Sequence, residues 1–592
     1  MLRAIFLTIT LATLAVATFS ARPAHAGWST EPVEVRGTNA LCPQITVCDD
    51  GAFGAIVVWA EAGYPTSPLL AVPLLADGEF DPAWPAMLTV VPSLAECTEL
   101  RAFPDGAGGA ILTWMEASSV RLLHLQADGT VSAATAPAGR VILTNVSAAA
   151  PPRIVSDGHG GLYAGRLVCV PCAYRVVHLT AEGGAAPGWS ATGRAFTFTQ
   201  DDQGNPAYFS CGSIAPAPDG GVLVVYAGFG VDPQGMTEPG AVRLTRLTSA
   251  GGVVPGWGGL RIASYPADEM PLVIPAGSQS WHLPRMSLVD VAADEAGGVW
   301  VVRGEAVAAD QDLWPGQLRF IPKVHHLGAD RVPVPGSPEA GLDVGMGMAW
   351  AFSDYGAEAS FRVWARARGG FVVGRGDCAN TGGPGFGARR FRADGGCEGG
   401  SGGGDLAGLE ASAAGAGVVY VATFHPVGPM GPCDSDAYAQ VSGSNGVGYF
   451  QMRPYEGSAR FHDVGVAALP DGGAIFVWGQ SGGRFGVYAV RLNAAGLVTG
   501  VPPSATPAPP RLALRFVPGQ GVRASAAFAS AGEAKLVLTD VLGRAVARES
   551  FAAGTAAREW TLANTEALAP GLYFARVTRG AETHGARVVV TR

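Results

Sequence analysis

The chain has 592 residues, a formal net charge of −9 and 48% hydrophobic residues. The charge is mild and no basic run occurs, which argues against nucleic-acid binding. The 84 glycines and 43 prolines exclude a mainly helical protein and favour many short strands joined by turns, in more than one domain.

The first 26 residues have the pattern of a signal peptide. Arg3 supplies the positive start, Ala4 to Phe19 form the apolar core, and Ala24-His25-Ala26 gives a small-x-small cleavage site. A retained membrane helix is the alternative, but the apolar run is short and polar residues interrupt it at once. We therefore predict an exported protein whose mature chain starts at Gly27.

An internal repeat dominates residues 27–500. Each copy opens with an acidic-glycine turn, which favours chain reversal, and continues into an apolar strand typical of burial between sheets. The clearest turns begin at Asp50, Asp105, Asp157, Asp219, Asp294 and Asp471, and degenerate copies lie near 354–364 and 414–420. A second strand follows in most copies, and some copies close with Gly-Trp.

The repeat predicts an all-β fold, a β-propeller of about seven or eight blades. One such unit cannot cover both of its faces, whereas units stacked in a ring cover each other. A tandem array of small β domains or an open solenoid is the alternative. A closed ring requires the strand-like segment Glu31 to Arg36 to pair with the last unit, near Val487 to Leu492. The region loosely resembles the Gly-rich repeat propellers of exported bacterial proteins.

No segment carries a catalytic, phosphate-binding or zinc-protease motif, so we predict no catalytic, cofactor-binding or metal residues and no cofactor. Each Asp-Gly turn offers too few carboxylates for calcium, and turn formation is the interpretation that we prefer. The pairs His325-His326 and His462-Asp463 are interpreted as surface or pore-lining residues.

Nine cysteines in an exported chain predict disulfides with one thiol left over. Cys42 with Cys48, and Cys378 with Cys397, are candidate local bridges. Cys169-Val170-Pro171-Cys172 has the spacing of a redox or zinc pair, and we favour a disulfide that ties a loop.

Two long segments are interpreted as surface loops that could carry a ligand site. One is the glycine-rich segment Gly370 to Gly404, and the other runs from Tyr265 to Ser287.

The end of the chain forms a separate unit. Residues 501–511 are a proline-rich linker, extended and semi-rigid. Residues 512–592 alternate apolar and polar side chains in roughly seven short runs, which fits a small Ig-like β-sandwich. Leu536, Leu538 and Val541 are expected on one face, and Leu572, Phe574 and Val577 likewise later in the chain.

Two segments of this tail resemble the C-terminal sorting domain of type IX secretion cargo. They are 535–546 and 568–577, and the residues that carry the resemblance are Asp540, Gly543, Arg544, Pro570, Gly571 and Tyr573. The resemblance implies that these residues form the sorting motif and that the type IX machinery is a partner. It also implies delivery through the periplasm to the cell surface or the medium. A purely structural module, similar to the Ig-like domain of the flagellar hook-cap protein, is the alternative.

The sequence therefore predicts an exported protein whose propeller is a noncatalytic scaffold that binds a glycan or a protein. The alternative is a propeller hydrolase or lyase acting on polysaccharide, with carboxylates contributed by different blades. Two or three acidic or histidine side chains converging in a central cleft would favour the enzyme.

Overall fold

The computed structural model describes the strands and many of the turns of the chain. The described residues are 28, 32–37, 44–61, 67–82, 84–85, 87–94, 97–146, 151–169, 172–197, 207–231, 237–264, 289–294, 296–307, 318–344, 349–351, 359–365, 370–377, 387–392, 397–402, 408–413, 419–425, 438–443, 449–452, 460–481, 486–492, 512–517, 521–526, 532–540, 544–553, 558–579 and 582–590. The predicted signal peptide, the linker and the loop 265–287 lie outside them. No helix long and apolar enough to cross a membrane occurs among the described residues.

Eight antiparallel sheets follow one another in the described part of residues 33–492, and we call them blades 1 to 8. The first strand is β1 (Val33–Gly37), which belongs to blade 8. Blade 1 contains β2 (Gln44–Asp49), β3 (Ala55–Ala60), β4 (Ser67–Leu74) and β5 (Leu88–Leu94). Blade 2 contains β6 (Thr98–Pro104), β7 (Ala110–Glu116), β8 (Ser119–Leu125) and β9 (Arg140–Thr144). Blade 3 contains β10 (Arg153–Ser156), β11 (Gly161–Cys169), β12 (Cys172–Thr180) and β13 (Arg194–Thr197). Blade 4 contains β14 (Ala207–Pro216), β15 (Val222–Val231), β16 (Thr237–Leu247) and β17 (Leu260–Ser264).

The second half of the ring has the same plan. Blade 5 contains β18 (Val289–Ala293), β19 (Val299–Val307), β20 (Leu318–Leu327), β21 (Leu342–Asp343) and β22 (Ala349–Ala351). Blade 6 contains β23 (Ala359–Ala365), β24 (Phe371–Asp377), β25 (Gly387–Phe391) and β26 (Cys397–Gly402). Blade 7 contains β27 (Gly408–Ala413), β28 (Val419–His425), β29 (Tyr438–Gly443) and β30 (Tyr449–Met452). Blade 8 contains β31 (Arg460–Ala468), β32 (Ala474–Ser481) and β33 (Gly486–Leu492), together with β1.

The first strands of neighbouring blades contact one another, which places them around a common axis. The contacts run from β31 to β2 and onward through β6, β10, β14, β18 and β23, while β27 contacts β31. The fold is therefore a β-propeller, and its eight blades confirm the number predicted from the repeat.

The ring is closed by the N-terminal strand. β1 pairs with β33 in antiparallel register, with Val33 opposite Ala489 and Glu34 opposite Tyr488. This pairing confirms the closure predicted from the sequence and leaves blade 8 with four strands.

The core lies between the blades. The second strand of a blade is buried on both faces, as in the six residues of β3. Hydrophobic clusters accordingly join neighbours, and one of them unites Trp59 of blade 1 with Val477 of blade 8. Single blades therefore lack a core of their own, which explains why the repeat assembles into a ring.

The glycine-rich segment 370–404 is not a loop, so our interpretation of it was wrong. It contains three strands of blade 6, and Phe371 and Val373 on the first of them are fully buried. Its glycines gave the segment a loop-like composition, but Gly374 and Gly387 still pair in the ladder through backbone groups.

The tail forms two packed sheets, which makes it a small β-sandwich of seven strands. One sheet contains β34 (Leu512–Val517), β35 (Gly521–Ala526) and β38 (Arg558–Thr561). The other contains β36 (Gly532–Asp540), β37 (Ala545–Ala553), β39 (Gly571–Arg579) and β40 (Glu582–Val590), in the order β37-β36-β39-β40. Side chains of both sheets share one core.

The predicted faces of the tail strands are confirmed for Leu536, Leu538 and Val577 and wrong for Phe574. Val541 and the side chain of Leu572 lie outside the described part of the chain. Leu536 and Leu538 are both buried, as expected. On β39, however, Tyr573, Ala575 and Val577 are buried and Phe574 is exposed. Phe574 is apolar but points outward, and it was used to decide which residues of the strand face the core. A shift of one residue exchanges the two faces of a strand.

Candidate functional site

The aspartates of the repeat turns hold the turns together. In blade 2, Asp105 Oδ1 accepts hydrogen bonds from the backbone N–H groups of Ala107 at 2.7 Å and Gly109 at 2.8 Å. A Cβ on Gly109 would lie 2.2 Å from the Leu125 carbonyl oxygen, so only glycine fits there. One carboxylate oxygen is thus committed to the backbone, which supports turn formation rather than calcium binding.

The other carboxylate oxygen of these aspartates meets a histidine on the third strand. The Asp105 Oδ2 to His124 Nε2 distance is 3.0 Å, and His124 Nδ1 lies 2.8 Å from Glu182 Oε1 of blade 3. Burial alone would lower the pKa of His124, but the hydrogen bonds to the two carboxylates outweigh it and raise that pKa. Since ionised carboxylates only accept hydrogen bonds, the two contacts favour the imidazolium form of His124, which links blades 2 and 3.

The same pair recurs at the same place in two other blades. His178 Nε2 lies 2.7 Å from Asp157 Oδ2, and His326 Nε2 lies 2.7 Å from Asp294 Oδ2. His326 also stacks on Trp300, with ring centroids 3.5 Å apart.

Blades 4 and 8 replace histidine with arginine, and the geometry explains the exchange. In these two blades Ala217 and Leu469 occupy the position whose N–H group closes the turn. Asp219 and Asp471 lie two residues later in the turn and are more exposed. A longer side chain is needed to reach them. Arg246 contacts Asp219 at 3.0 Å and Arg491 contacts Asp471 at 2.7 Å.

His325 and His326 are both buried, so their interpretation as surface or pore-lining residues was wrong. His325 Nε2 accepts a hydrogen bond from Arg303 Nε at 3.1 Å. Burial and the adjacent Arg303 charge lower the pKa of His325 to about 3. Consecutive residues on β20 therefore serve two separate polar pairs, one on each face of the strand. The side chains of His462 and Asp463 lie outside the described part of the chain.

Tryptophans ahead of the fourth strands join blades 1 and 3 to the blades that follow them. Trp84 Nε1 donates to the Ala127 carbonyl at 2.8 Å, and Trp189 Nε1 donates to the Ser249 carbonyl at 2.7 Å. Each ring rests on a glycine of that next blade, since a Cβ on Gly129 would lie 2.9 Å from Trp84. The Gly-Trp ending seen in the sequence is therefore an inter-blade contact.

One position of the first strand forms a ring of residues around the axis, which we call the belt. In six blades this position lies four residues before the residue whose N–H group closes the turn. In blades 6 and 7 the equivalent residue is identified from its partner on the second strand, as Arg101 pairs with Thr113 in blade 2. The belt residues are Thr46, Arg101, Arg153, Ser213, Asp290, Arg362, Glu410 and Gly465. The belt is the candidate functional site of the propeller because charged groups from separate blades share one level of the axis.

Some belt side chains connect neighbouring blades. Thr46 Oγ1 accepts a hydrogen bond from the Ala102 N–H at 3.2 Å, and Asp290 Oδ2 accepts one from the Val363 N–H at 3.1 Å. Ser213 Oγ donates to Asp290 Oδ1 at 2.5 Å. In each case the partner lies at or next to the belt position of the following blade, so these residues have a structural role.

The belt arginines cannot accept an N–H group of the next blade as Thr46 and Asp290 do, because a guanidinium group has no acceptor. Arg153 is partly buried on β10, one of the first strands around the axis. Its buried Nε has no hydrogen-bond partner among the described residues. Burial, followed by repulsion from Arg362 and Arg101, lowers the pKa of Arg153 to about 10.

The belt was missed at the sequence level although its spacing is regular. Thr46, Arg101, Arg153 and Asp290 each lie four residues before the turn aspartate. Threonine, arginine and aspartate differ in charge and hydrogen bonding, so a search for one shared residue type passes over this position.

In the tail, Asp540 and Arg544 close the turn between β36 and β37. Asp540 Oδ1 accepts the Arg544 N–H at 2.9 Å, and Asp540 Oδ2 pairs with Arg544 Nε at 2.7 Å. Gly543 lies outside the described residues. The Arg544 side chain is exposed, so its guanidinium is available at the surface of the sandwich.

The second tail segment lies beside this turn. Tyr573 is directly opposite Asp540 in the β36–β39 ladder. The Tyr573 hydroxyl donates to the Ala569 carbonyl at 2.9 Å, which ties down the turn containing Pro570 and Gly571. The structure therefore brings the described residues of both segments together at one end of the sheet.

The cysteine assignments have one clear outcome. Cys48 is a buried free thiol, so its predicted bridge to Cys42 is wrong, and burial raises its pKa. Cys169 and Cys172 are opposite each other in the β11–β12 hairpin. Their side chains and that of Cys397 lie outside the described part, as does the whole of Cys378.

Comparison with known proteins gives only distant similarities. No family model matches the chain, and no curated protein matches it. A protein of unknown function from Dyadobacter fermentans is 11% identical and covers 78% of this chain and 98% of its own, with a TM-score of 0.31. PorZ, a surface component of the type-IX secretion system of Porphyromonas gingivalis, is 12% identical over 93% of this chain and 75% of its own, with a TM-score of 0.25. The polysaccharide lyase Uly1 is 10% identical over 77% of this chain and 90% of its own, with a TM-score of 0.35. Such low similarity assigns no function to this chain.

Proposed function

We propose that the protein is an exported bacterial surface or secreted protein. Its propeller is a noncatalytic binding scaffold, and its C-terminal sandwich is a sorting domain read by the type IX secretion machinery. The observation that carries the sorting proposal is the position of Asp540 opposite Tyr573. Two segments thirty residues apart, each resembling sorting domains, form one surface at the end of a sheet.

The arrangement of the turn supports recognition by a receptor. The Asp540 carboxylate uses both oxygens to fix the Arg544 backbone and side chain. A fixed, exposed guanidinium beside a rigid Pro-Gly turn is a preorganised contact, and preorganisation lowers the entropic cost of binding.

The binding-scaffold proposal is supported by the roles of the polar groups in the propeller. The described histidines whose side chains pair with carboxylates, His124, His178 and His326, do so in the repeat turns. At the belt, the Asp290 carboxylate is buried and occupied by two hydrogen bonds. No group of three or more potential metal ligands occurs in the described part of the chain.

Cell fractionation in a type IX-competent host tests the sorting proposal. Deletion of 512–592 is expected to leave a folded propeller in the periplasm, and Asp540→Ala is expected to reduce delivery without unfolding the sandwich. Arg548→Gln is a matched control, because it removes an exposed arginine elsewhere on the same sheet. Surface delivery of the truncated protein would contradict the proposal.

The hydrolase or lyase alternative retains one observation in its favour. Glu410 takes the belt position two blades from Asp290, so two acidic residues share one level of the axis. Incubation of the purified protein with acidic and neutral polysaccharides, followed by assay of new chain ends, tests this alternative. Cleavage that is lost in Asp290→Asn and Glu410→Gln would replace the scaffold proposal with an enzyme.

A further inference from the structure

We propose that the belt arginines Arg101, Arg153 and Arg362 bind an anionic group, a carboxylate or a sulfate, of a ligand that enters the axial space of the propeller. The proposal deepens the binding-scaffold function by naming the chemistry of the ligand. It does not depend on the sorting role of the tail.

The first step is the position of the three arginines. They occupy one register position in blades 2, 3 and 6, so their strands β6, β10 and β23 present them at one level. Blades 3 and 6 are three blades apart in a ring of eight, and the charges of Arg153 and Arg362 nevertheless interact. The strands that carry the two arginines, β10 and β23, are both first strands of the ring around the axis.

Arginine does not suit the structural role of this position. Thr46 and Asp290 accept an N–H group of the following blade there. Arginine cannot accept a hydrogen bond, so it cannot take the acceptor role that Thr46 and Asp290 have there. A residue whose side chain does not suit its structural position is typical of a functional site.

Arg153 has a buried hydrogen-bond donor, its Nε, which has no hydrogen-bond partner among the described residues. Removing a charged group from water without a partner is costly. Asp290, the acidic belt residue that attracts Arg153, is already held by Ser213 and the Val363 N–H. An external anion would supply the missing acceptor.

The chemistry of guanidinium selects the ligand class. Its planar set of N–H donors matches the paired oxygens of carboxylate and sulfate groups. Such a group could be a free ion or an acidic substituent of a sugar, and the experiment separates these sources.

The test uses the purified mature chain with three probes. Inorganic sulfate, glucuronate and a sulfated trisaccharide are titrated calorimetrically, in sodium chloride of matched ionic strength. We expect Arg153→Gln to weaken binding by ~10-fold or more, as for loss of a charge-assisted hydrogen bond. Arg548→Gln, which removes an exposed arginine from the sandwich, should bind like the wild type.

Each outcome decides the proposal. Arg153-dependent binding of inorganic sulfate supports a free-ion site, and Arg153-dependent binding of the sugars alone supports an acidic substituent. Absence of binding by all three probes, or binding equal in the wild type and Arg153→Gln, overturns it. If Arg153→Gln does not fold, Arg362→Gln is tested in its place with the same expected loss. Failure here leaves the secretion experiment unaffected.

Discussion

Trp28 donates from Nε1 to the carbonyl oxygen of Ala76 at 3.1 Å and thereby joins the two ends of the propeller. Trp28 precedes β1, the fourth strand of blade 8, whereas Ala76 belongs to blade 1. The contact is the same one that Trp84 and Trp189 make between consecutive blades. The N-terminal segment thus supplies the closing blade with both its fourth strand and its inter-blade tryptophan.

Removal of residues 27–36 should therefore weaken a blade more than four hundred residues away in sequence. The deletion exposes the edge of β33 and the apolar surface that Val33 and Val35 cover. Hydrogen exchange is expected to show lost protection over 474–492. Trp28→Ala should give a smaller loss in the same region. Loss of protection confined to 41–59 would contradict closure by this strand.

Trp114→Ala should destabilise the propeller by about 3 to 5 kcal/mol, as large-to-small changes in a core do. The Trp114 side chain is fully buried between blades 1 and 2. Chemical denaturation measures the effect, and Val141→Ala, at an exposed residue of the same blade, is the control. A loss below ~1 kcal/mol would place Trp114 outside the core.

Much of the fold could be predicted because it rests on local signals. The Asp-Gly turns and the apolar strands after them fixed the repeat, and the alternating segment before the first turn indicated the closing strand. Blade 6 escaped prediction because glycines replaced the side chains that reveal a strand. The belt escaped it because Arg101, Arg153 and Arg362 acquire a common meaning only when three distant strands surround one axis.

The inter-blade contact of Trp84 can be isolated with two glycine substitutions. Gly129 and Gly158 both have positive φ, 82° and 74°, so alanine is strained at both positions. A Cβ at Gly158 meets nothing within 4 Å, whereas a Cβ at Gly129 would lie 2.9 Å from the Trp84 ring. Gly129→Ala should therefore destabilise the protein by roughly 1 to 3 kcal/mol more than Gly158→Ala. Equal losses in denaturation experiments would show that the ring does not depend on this glycine.

The stability that the His124 bridge gives to the propeller should depend on pH. The pKa of His124 is raised above its usual 6.5, so its contribution to stability is complete below that pH and is lost as pH rises through the folded-state value. Burial alone would raise the pKa values of Asp105 and Glu182, but hydrogen bonds to His124 and other donors lower both. Their contributions are present above the unfolded values of 3.8 and 4.5 and are lost as pH falls through the folded ones. The bridge should therefore stabilise the propeller most between pH 4.5 and 6.5.

The comparison of the wild type with His124→Gln isolates this contribution from the other histidines. From about pH 5.5 to about pH 8.5 the wild type should lose roughly 1 to 3 kcal/mol of its advantage over the variant, the range for a hydrogen bond to a charged group. Denaturant midpoints at the two pH values measure it. His159→Gln is the control. Among the described residues, the His159 ring has one hydrogen bond, which joins it to the Asp157 carbonyl of its own turn. A free-energy difference between wild type and His124→Gln that stays constant across this range would show that folding does not raise the pKa of His124, and it would contradict the ionic bridge to Glu182.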